Sequence, residues 1–364
     1  MTSLLLVTPD LGDNSTGRAH VWWMLASRLG WNVQIVSPAG EQVWGPLRGT
    51  EFAEACARLT SRSRLRQADE LAKLARHHDA VVAVKPLPAS LGIALAARAR
   101  TDFPLIVDID DPDLEARMSR RNPLTAVMWR ARHPAFWLRV RRFDAVAATA
   151  AVTTSNPILQ ARYGGTLLPH ARPDHGGGRA HTRREIVVAF IGTVRLHKGI
   201  AVLREAVARL SGDGVRLVVT ADAPPDAEEW ELWAGEGTMD EGARLLAEAD
   251  VVALPSLPSS FAEGQLPAKL IDAMIAERAV VVSAIDPMPW AVGIPELCVP
   301  AGSAAALAEA LRSLVDPHVR AGHARALRKR ALDKFSVDAL APLLDSILLE
   351  AKGKAEDTGA DVVR

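Results

Sequence analysis

Short apolar runs separated by amphipathic stretches of ten or more residues recur twice along this chain, and no other feature restricts its fold as much. In the first block the runs are SLLLVTP (3–9), WNVQIVSP (31–38), DAVVAVKP (79–86) and PLIVDIDDP (104–112). Between them lie GRAHVWWMLASRLG (17–30), with Val21, Leu25 and Leu29 at helical spacing, then EFAEACARL and ADELAKLARHH, and ASLGIALAARAR. Strands joined by helices of this length predict a parallel sheet. The runs lack polar alternation, as expected of strands covered on both faces.

DHGGGRAHTRRE (174–185) interrupts the pattern with three consecutive glycines and no period, and reads as a linker. A second block follows: IVVAFIG, VRLVVTA, DVVALPS and AVVVSAI as strands, with helices between, then helices near 303–315, 319–334 and 338–351. The expected organisation is an N-terminal domain over 1–173, the linker, a C-terminal domain over 186–337, a helix at 338–351 that returns to the first domain, and a disordered tail over 352–364. At 364 residues and 49% hydrophobic, the chain can bury two cores. The fold class is α/β with two Rossmann-like parallel-sheet domains. Ligands of open parallel sheets bind at the carboxyl ends of the strands, and the expected site is a cleft between the domains.

Several classes are set aside. The formal net charge is zero, so nothing points to nucleic acid. Cys56 and Cys298 are far apart and form neither a disulfide framework nor a metal cluster, as expected in a reducing cytoplasm. No signal peptide and no run of about twenty apolar residues is found. The abundance of Ala and Arg fits a GC-rich, bacterial coding sequence. G-x-G-x-x-G, Walker A, H-E-x-x-H, C-x-x-C and the G-x-S-x-G elbow are all missing. No metal and no cofactor is expected.

In FIGTVRLHKGIAVL (190–203), Gly192 permits a close turn after a strand, and Arg195 and Lys198 follow it. A guanidinium fork and a compact ammonium suit a diphosphate. A pair of solvated surface cations is the other reading. In FAEGQLPAKLIDAM (261–274), Pro267 suits a helix start. The N–H groups of Gly264, Gln265 and Leu266 then sit where an anion is welcome. Lys269 and Asp272 share a helix face, either as a surface pair or with Asp272 accepting from sugar hydroxyls.

FIGTVRLHKG, ADVVALPS, EGQLPAKLIDAM and AVVVS come in an order and spacing that resembles the retaining glycosyltransferases of family 4, which have the GT-B fold. AVTTSNPILQARYGGTLLPHARPD (151–174) and the closing FSVDALAPLLDSILLEA agree with it; the resemblance is strong over 186–300 and weaker before 150. It implies that Arg195 and Lys198 hold the diphosphate of a nucleotide-sugar donor, with Gly192 and Thr193 also donor-binding. It further implies that Gly264, Gln265, Leu266 and Lys269 line the donor, that Asp272 binds the ribose, and that Glu263 lies near the transferred sugar. One departure stands out. The family pattern is Glu, seven residues, Glu, whereas eight residues separate Glu263 from Asp272 here.

The N-terminal block offers Asp108, Asp110 and Asp111 at a strand end, for acceptor binding or general-base work, with capping by Asp111 before Pro112 as the other reading. Lys85 closes a strand, either facing the cleft or snorkelling, and Gly17 lies in the first strand-to-helix loop. RMSRRNPLTAVMWRARHPAFWLRVRRFD (117–144) is rich in arginine, interleaved with Trp129, Phe136, Trp137 and Phe143. It reads as a peripheral contact to anionic membrane through 117–143, as a site for an acidic acceptor, or as a helix whose aromatics are core. Together these point to a cytoplasmic, metal-independent glycosyltransferase with an unspecified acceptor. A sugar-nucleotide epimerase of the same fold and a catalytically weak binding protein are the alternatives.

Overall fold

Among the described residues, the apolar runs of the first block and three further segments pair side by side as seven parallel strands. They are β1 (Ser3–Val7), β2 (Asn32–Ser37), β3 (Cys56–Arg58), β4 (Ala80–Val84), β5 (Leu105–Ile109), β6 (Ala151–Thr154) and β7 (Thr166–Leu167), in the order β3-β2-β1-β4-β5-β6-β7. The second sheet has six, also parallel: β8 (Ile186–Phe190), β9 (Val215–Val219), β10 (Glu231–Trp233), β11 (Val251–Leu254), β12 (Ala279–Ser283) and β13 (Cys298–Val299). Their order is β10-β9-β8-β11-β12-β13. In this computed structural model residues 1–114, 123–141, 143–182, 186–235, 237–259 and 262–362 are described. Both sheets reverse their strand order once, between β1 and β4 and between β8 and β11, and it is beside such a reversal that open α/β sheets hold ligands. The chain therefore comprises two Rossmann-like parallel-sheet units, the GT-B architecture.

The chain divides into Met1–Ala171 with Leu340–Arg364, and Arg172–Ala339. Each unit has its own core. In the first, Leu5, Val7, Val81, Leu105 and Val107 of the sheet pack with Leu71, Ile93 and Ala94 of flanking helices. In the second, Val188, Leu217, Val251 and Val280 pack with Leu203, Leu270, Met274 and Leu307. All of these side chains are almost fully removed from water, which is the main stabilising term for each unit.

Several expectations need correction. EFAEACARL is not one helix: Glu51–Glu54 make a single helical turn, and Cys56–Arg58 become β3 by pairing with Ile35–Ser37. The stretch called a linker is not free. Gly178 N–H donates to the Ala276 carbonyl at 2.7 Å and Arg179 N–H to that of Ala247 at 2.8 Å, so the chain from Arg172 onward lies along the second unit. The expected tail is not disordered over its described part: the last helix runs Leu343–Val362 and belongs to the first unit. Lys352 pairs with Asp79 at 3.0 Å, and Lys354 donates to the carbonyls of Ala147 and Ala150 at 2.8 and 3.1 Å. These contacts hold a polar segment that composition alone assigns to solvent.

Candidate functional site

In the second unit the chain leaves β8 through Gly192, whose N–H donates to the Thr220 hydroxyl at 2.8 Å. It then forms a short 3-10 turn, Leu196–Lys198, and re-enters a helix at Gly199. Gly199 has φ +69, and a Cβ there would lie 1.9 Å from the Pro255 carbonyl oxygen, so only glycine lets these segments approach. Leu257 N–H donates to the His197 carbonyl at 2.8 Å, and Lys198 Nζ to Gln265 Oε1 at 3.2 Å. The loops after β8 and β11, at the sheet's reversal point, are thus tied into one surface. Thr193 and Arg195 are exposed on it, and Lys198 is half-buried.

The second of these loops differs in detail from expectation. Gly264 N–H donates to the Asp286 carbonyl at 3.0 Å and Gln265 N–H to that of Ala262 at 3.2 Å, so both point at protein carbonyls rather than outward. Leu266 is a core residue, 1% exposed. Pro267 caps the helix Ala268–Ile275. Glu263 is exposed, with Ser260 and Phe261 nearby outside the described residues.

Asp272 is not simply a surface acid. Its Oδ2 lies 3.1 Å from Lys269 Nζ, and its Oδ1 pairs with Arg172 Nε; each side chain of the Arg172–Asp272 pair is 18% exposed. Burial works to raise the Asp272 pKa, but the Arg172 and Lys269 cations outweigh it and hold the carboxyl below the ordinary range. Arg172 is itself fixed: its N–H donates to the Phe335 carbonyl at 2.9 Å and its carbonyl accepts from Val337 N–H at 3.0 Å. Sequence reasoning missed Arg172, since a partner one hundred positions from Asp272 leaves no local signal.

The first unit gathers its charges at its own reversal point. Lys85 follows β4 with φ +64, in the left-handed region that non-glycine residues enter at a cost of about 1–2 kcal/mol. Its Nζ lies 2.9, 2.8 and 2.9 Å from Asp110, Asp111 and Asp113. One ligand oxygen of each acid lies within 4.8 Å of the others, a spacing that suits a cation. The Lys85 ammonium supplies that cation, so the geometry is already satisfied by protein charge. Lys85 is neither snorkelling nor free. Burial opposes its charge, but the three carboxylates outweigh it and hold its pKa well above the ordinary lysine value. Burial pushes Asp110 up to about 7, Lys85 working against the shift and Asp111 with it. The Asp111 carboxylate reaches Lys85, contrary to a purely capping role.

Asp108, by contrast, is structural. Arg18 binds it through Nε and Nη2 at 2.9 and 2.7 Å and also donates to the carbonyls of Pro169 and Leu168 at 3.0 and 2.7 Å. Thr153 Oγ1 donates to the same carboxylate at 2.7 Å. Gly17 sits inside the helix Thr16–Arg28 with its N–H on the Asn14 carbonyl at 3.1 Å, so it offers no donor to a ligand; its neighbour Arg18 is the residue that matters there.

Of the arginine-rich stretch, 117–122 and 142 lie outside the described residues, and the rest includes the helices Pro123–Arg132 and Pro134–Val140. Phe136 is buried and Phe143 packs edge-on against Tyr163, so these two aromatics belong to the core. Arg130 lies over the Trp137 ring, 4.7 Å from its centroid. Val127, Met128 and Leu138 are exposed by 59%, 55% and 64%. Among the described residues, no helix is long and apolar enough to cross a membrane.

Residues 185–316, the span that holds the loops after β8 and β11, match the family described as Glycosyl transferases group 1. Among solved structures the chain is similar to sucrose-phosphate synthase from Thermosynechococcus elongatus, with a TM-score of 0.71 and 17% identity over 97% of this chain and 100% of that one. It is similar also to Anabaena HepE in complex with UDP, with a TM-score of 0.71 and 15% identity over 96% and 100%. A glycosyltransferase from Rickettsia africae gives a TM-score of 0.68 and 13% identity over 96% and 98%. At such identities the likeness is one of fold. No curated protein sequence matches the chain.

Proposed function

We propose that this protein is a glycosyltransferase that moves a sugar from a nucleotide-diphosphate donor to an acceptor hydroxyl, with retention at the anomeric carbon and without a metal. The observation that carries the reading is the joined pair of loops after β8 and β11, which presents Arg195 and Lys198 within the span matched to Glycosyl transferases group 1. When the bond from the sugar to the diphosphate breaks, negative charge grows on the leaving group. Fixed cations aimed at that charge stabilise the transition state more than the ground state. Arg195 has a planar fork for two phosphate oxygens and Lys198 a compact charge. Asp272, held ionised by Arg172 and Lys269, suits a pair of ribose hydroxyls. HepE, whose fold this chain shares, is in complex with UDP, which makes UDP the first nucleotide to try.

The first unit suits the acceptor. Asp110, titrating near neutrality, can accept a hydrogen bond or a proton from a hydroxyl, while Lys85 holds its neighbours in place. The exposed Val127, Met128 and Leu138 beside Arg130 and Arg132 favour a peripheral contact with anionic lipid, which would bring a lipid-linked acceptor within reach. The protein would then work in the cytoplasm or at the inner face of the membrane.

The test is product analysis with UDP-sugars. Sugar transfer that persists in chelator, with product NMR showing the donor's anomeric configuration, supports the reading. Conversion of the donor without an acceptor would mean an epimerase, and binding with neither turnover nor slow hydrolysis would mean a binding protein.

A further inference from the structure

The second unit contains a cavity of about 350 Å³ that the donor reading does not use. That volume is at the low end of small-molecule pockets, roughly 300–1,000 Å³. Asp250 and Arg278 immediately precede β11 and β12, so the cavity lies at the amino ends of the strands. The donor-end loops leave the carboxyl ends of β8 and β11, roughly 13–17 Å away at 3.3 Å per residue.

Its walls are overcharged. Arg179 and Arg278 of the wall share with Arg320, which lies behind it, the buried carboxylate of Asp250, with Arg179 Nη2 at 3.0 Å and Arg320 Nε at 3.8 Å; Arg320 also feels Asp316. Arg278 is 1% exposed, lines the cavity, and donates to the carbonyls of Ala276 and Ala249 at 2.9 and 2.8 Å, which leaves its charge without a carboxylate of its own among the described residues. Arg179 Nε is buried with no hydrogen-bond partner. Arg325 adds an exposed guanidinium at the rim. The carboxylate in the wall, Glu277, faces Arg328 at 3.8 Å. His181 packs between these groups, its Nε2 2.9 Å from the Glu277 carbonyl oxygen and its Nδ1 3.2 Å from Arg320 Nε and 3.8 Å from Asp250 Oδ1. Burial pushes Arg278 down to about 10, and Arg179 and Arg320 add repulsion, against the pull of Asp250 and Glu277. Buried guanidinium charge in excess of carboxylate is costly unless an anion is supplied.

We propose that this cavity binds a small oxyanion of the phosphate class, held by Arg179, Arg278 and Arg325, as a site separate from the donor loops. The helix Ala268–Ile275 carries Lys269 in its first turn and Asp272 at its middle, and the chain just past its end, Glu277 and Arg278, walls the cavity. An anion bound there therefore acts on the helix that holds the donor residues.

The probe is inorganic phosphate, titrated at constant ionic strength with chloride as the balancing anion and read as a shift in Tm. A saturable rise in Tm is expected for wild type and for Lys198→Ala, with at least a roughly tenfold loss of phosphate affinity in Arg325→Glu, which removes one charge-assisted partner and adds a repelling charge. Arg325 is exposed, so this variant keeps the test open even if the buried Arg278→Gln does not fold. Absence of a saturable response in wild type overturns the proposal. So does a response lost in Lys198→Ala, which would put the anion at the donor loops, or one that survives Arg325→Glu. The donor reading stands or falls separately, on UDP binding.

Discussion

Asp272 and Asp110 are both acids near a sheet's reversal point, yet their surroundings push them in opposite directions. Asp272 is held ionised between Arg172 and Lys269. Arg172→Ala removes a charge-assisted hydrogen bond worth about 1.5–3 kcal/mol and frees the carboxylate to turn. The expected result is a roughly tenfold or greater loss of UDP affinity by calorimetry, with Arg172→Lys in between. Arg195→Ala and Lys198→Ala should each lower turnover strongly, by about a hundredfold, with Tm unchanged; wild-type rates in both would send these residues back to solvated surface cations. Asp110 titrates near 7 in the folded state, above its ordinary 3.8. The folded protein therefore takes up this proton as pH falls through about 7, before the unfolded chain does, and Asp110 contributes stability that grows as pH falls towards 4 and is lost again as pH rises through 7. In the proposed role of acceptor-side base it is competent only when ionised, so activity should fall as pH drops through about 7. Asp110→Asn should erase that limb of the pH profile.

Elements show where local pattern suffices and where it fails. The buried strands β1, β4, β8 and β12 are legible because a run of apolar residues between turn signals has few other uses. Edge strands are not. β3 and β10 have three residues each, and their pairing partner rather than their composition makes them strands. The loops after β8 and β11 depend on one contact that sequence hints at only as a glycine. Gly199→Ala would force a Cβ against the Pro255 carbonyl at positive φ, at a cost of about 1–3 kcal/mol. A lower Tm together with weaker UDP binding is expected, because Lys198 moves with the turn. The last helix runs past the segment expected to be disordered. Removing residues 352–364 should lower the Tm of the first unit by a few degrees, since it deletes the Lys352–Asp79 pair and the Lys354 bonds.

For the molecule as a whole, co-sedimentation with vesicles containing anionic lipid tests the surface around Val127, Met128 and Leu138. Binding that weakens in salt and in Leu138→Asp is expected; binding to neutral vesicles alone would remove the electrostatic part of the idea. The two-unit α/β plan was readable from the chain, because hydrophobic periodicity and strand burial are local consequences of composition. The placement of Arg195 and Lys198 after β8 and of Asp272 after β11 was readable too, from short motifs beside strands. The ion-pair partners were not. Arg172 lies one hundred residues from Asp272, Lys85 lies twenty-six and twenty-eight from Asp111 and Asp113, and Arg18 lies ninety from Asp108. Electrostatic pairing acts through space over a few ångströms and is blind to separation along the chain. Sequence alone therefore determined which charges stand at the strand ends, and tertiary structure decided which of them neutralise one another, which stay exposed, and which, like Asp110, are left to titrate near neutral pH.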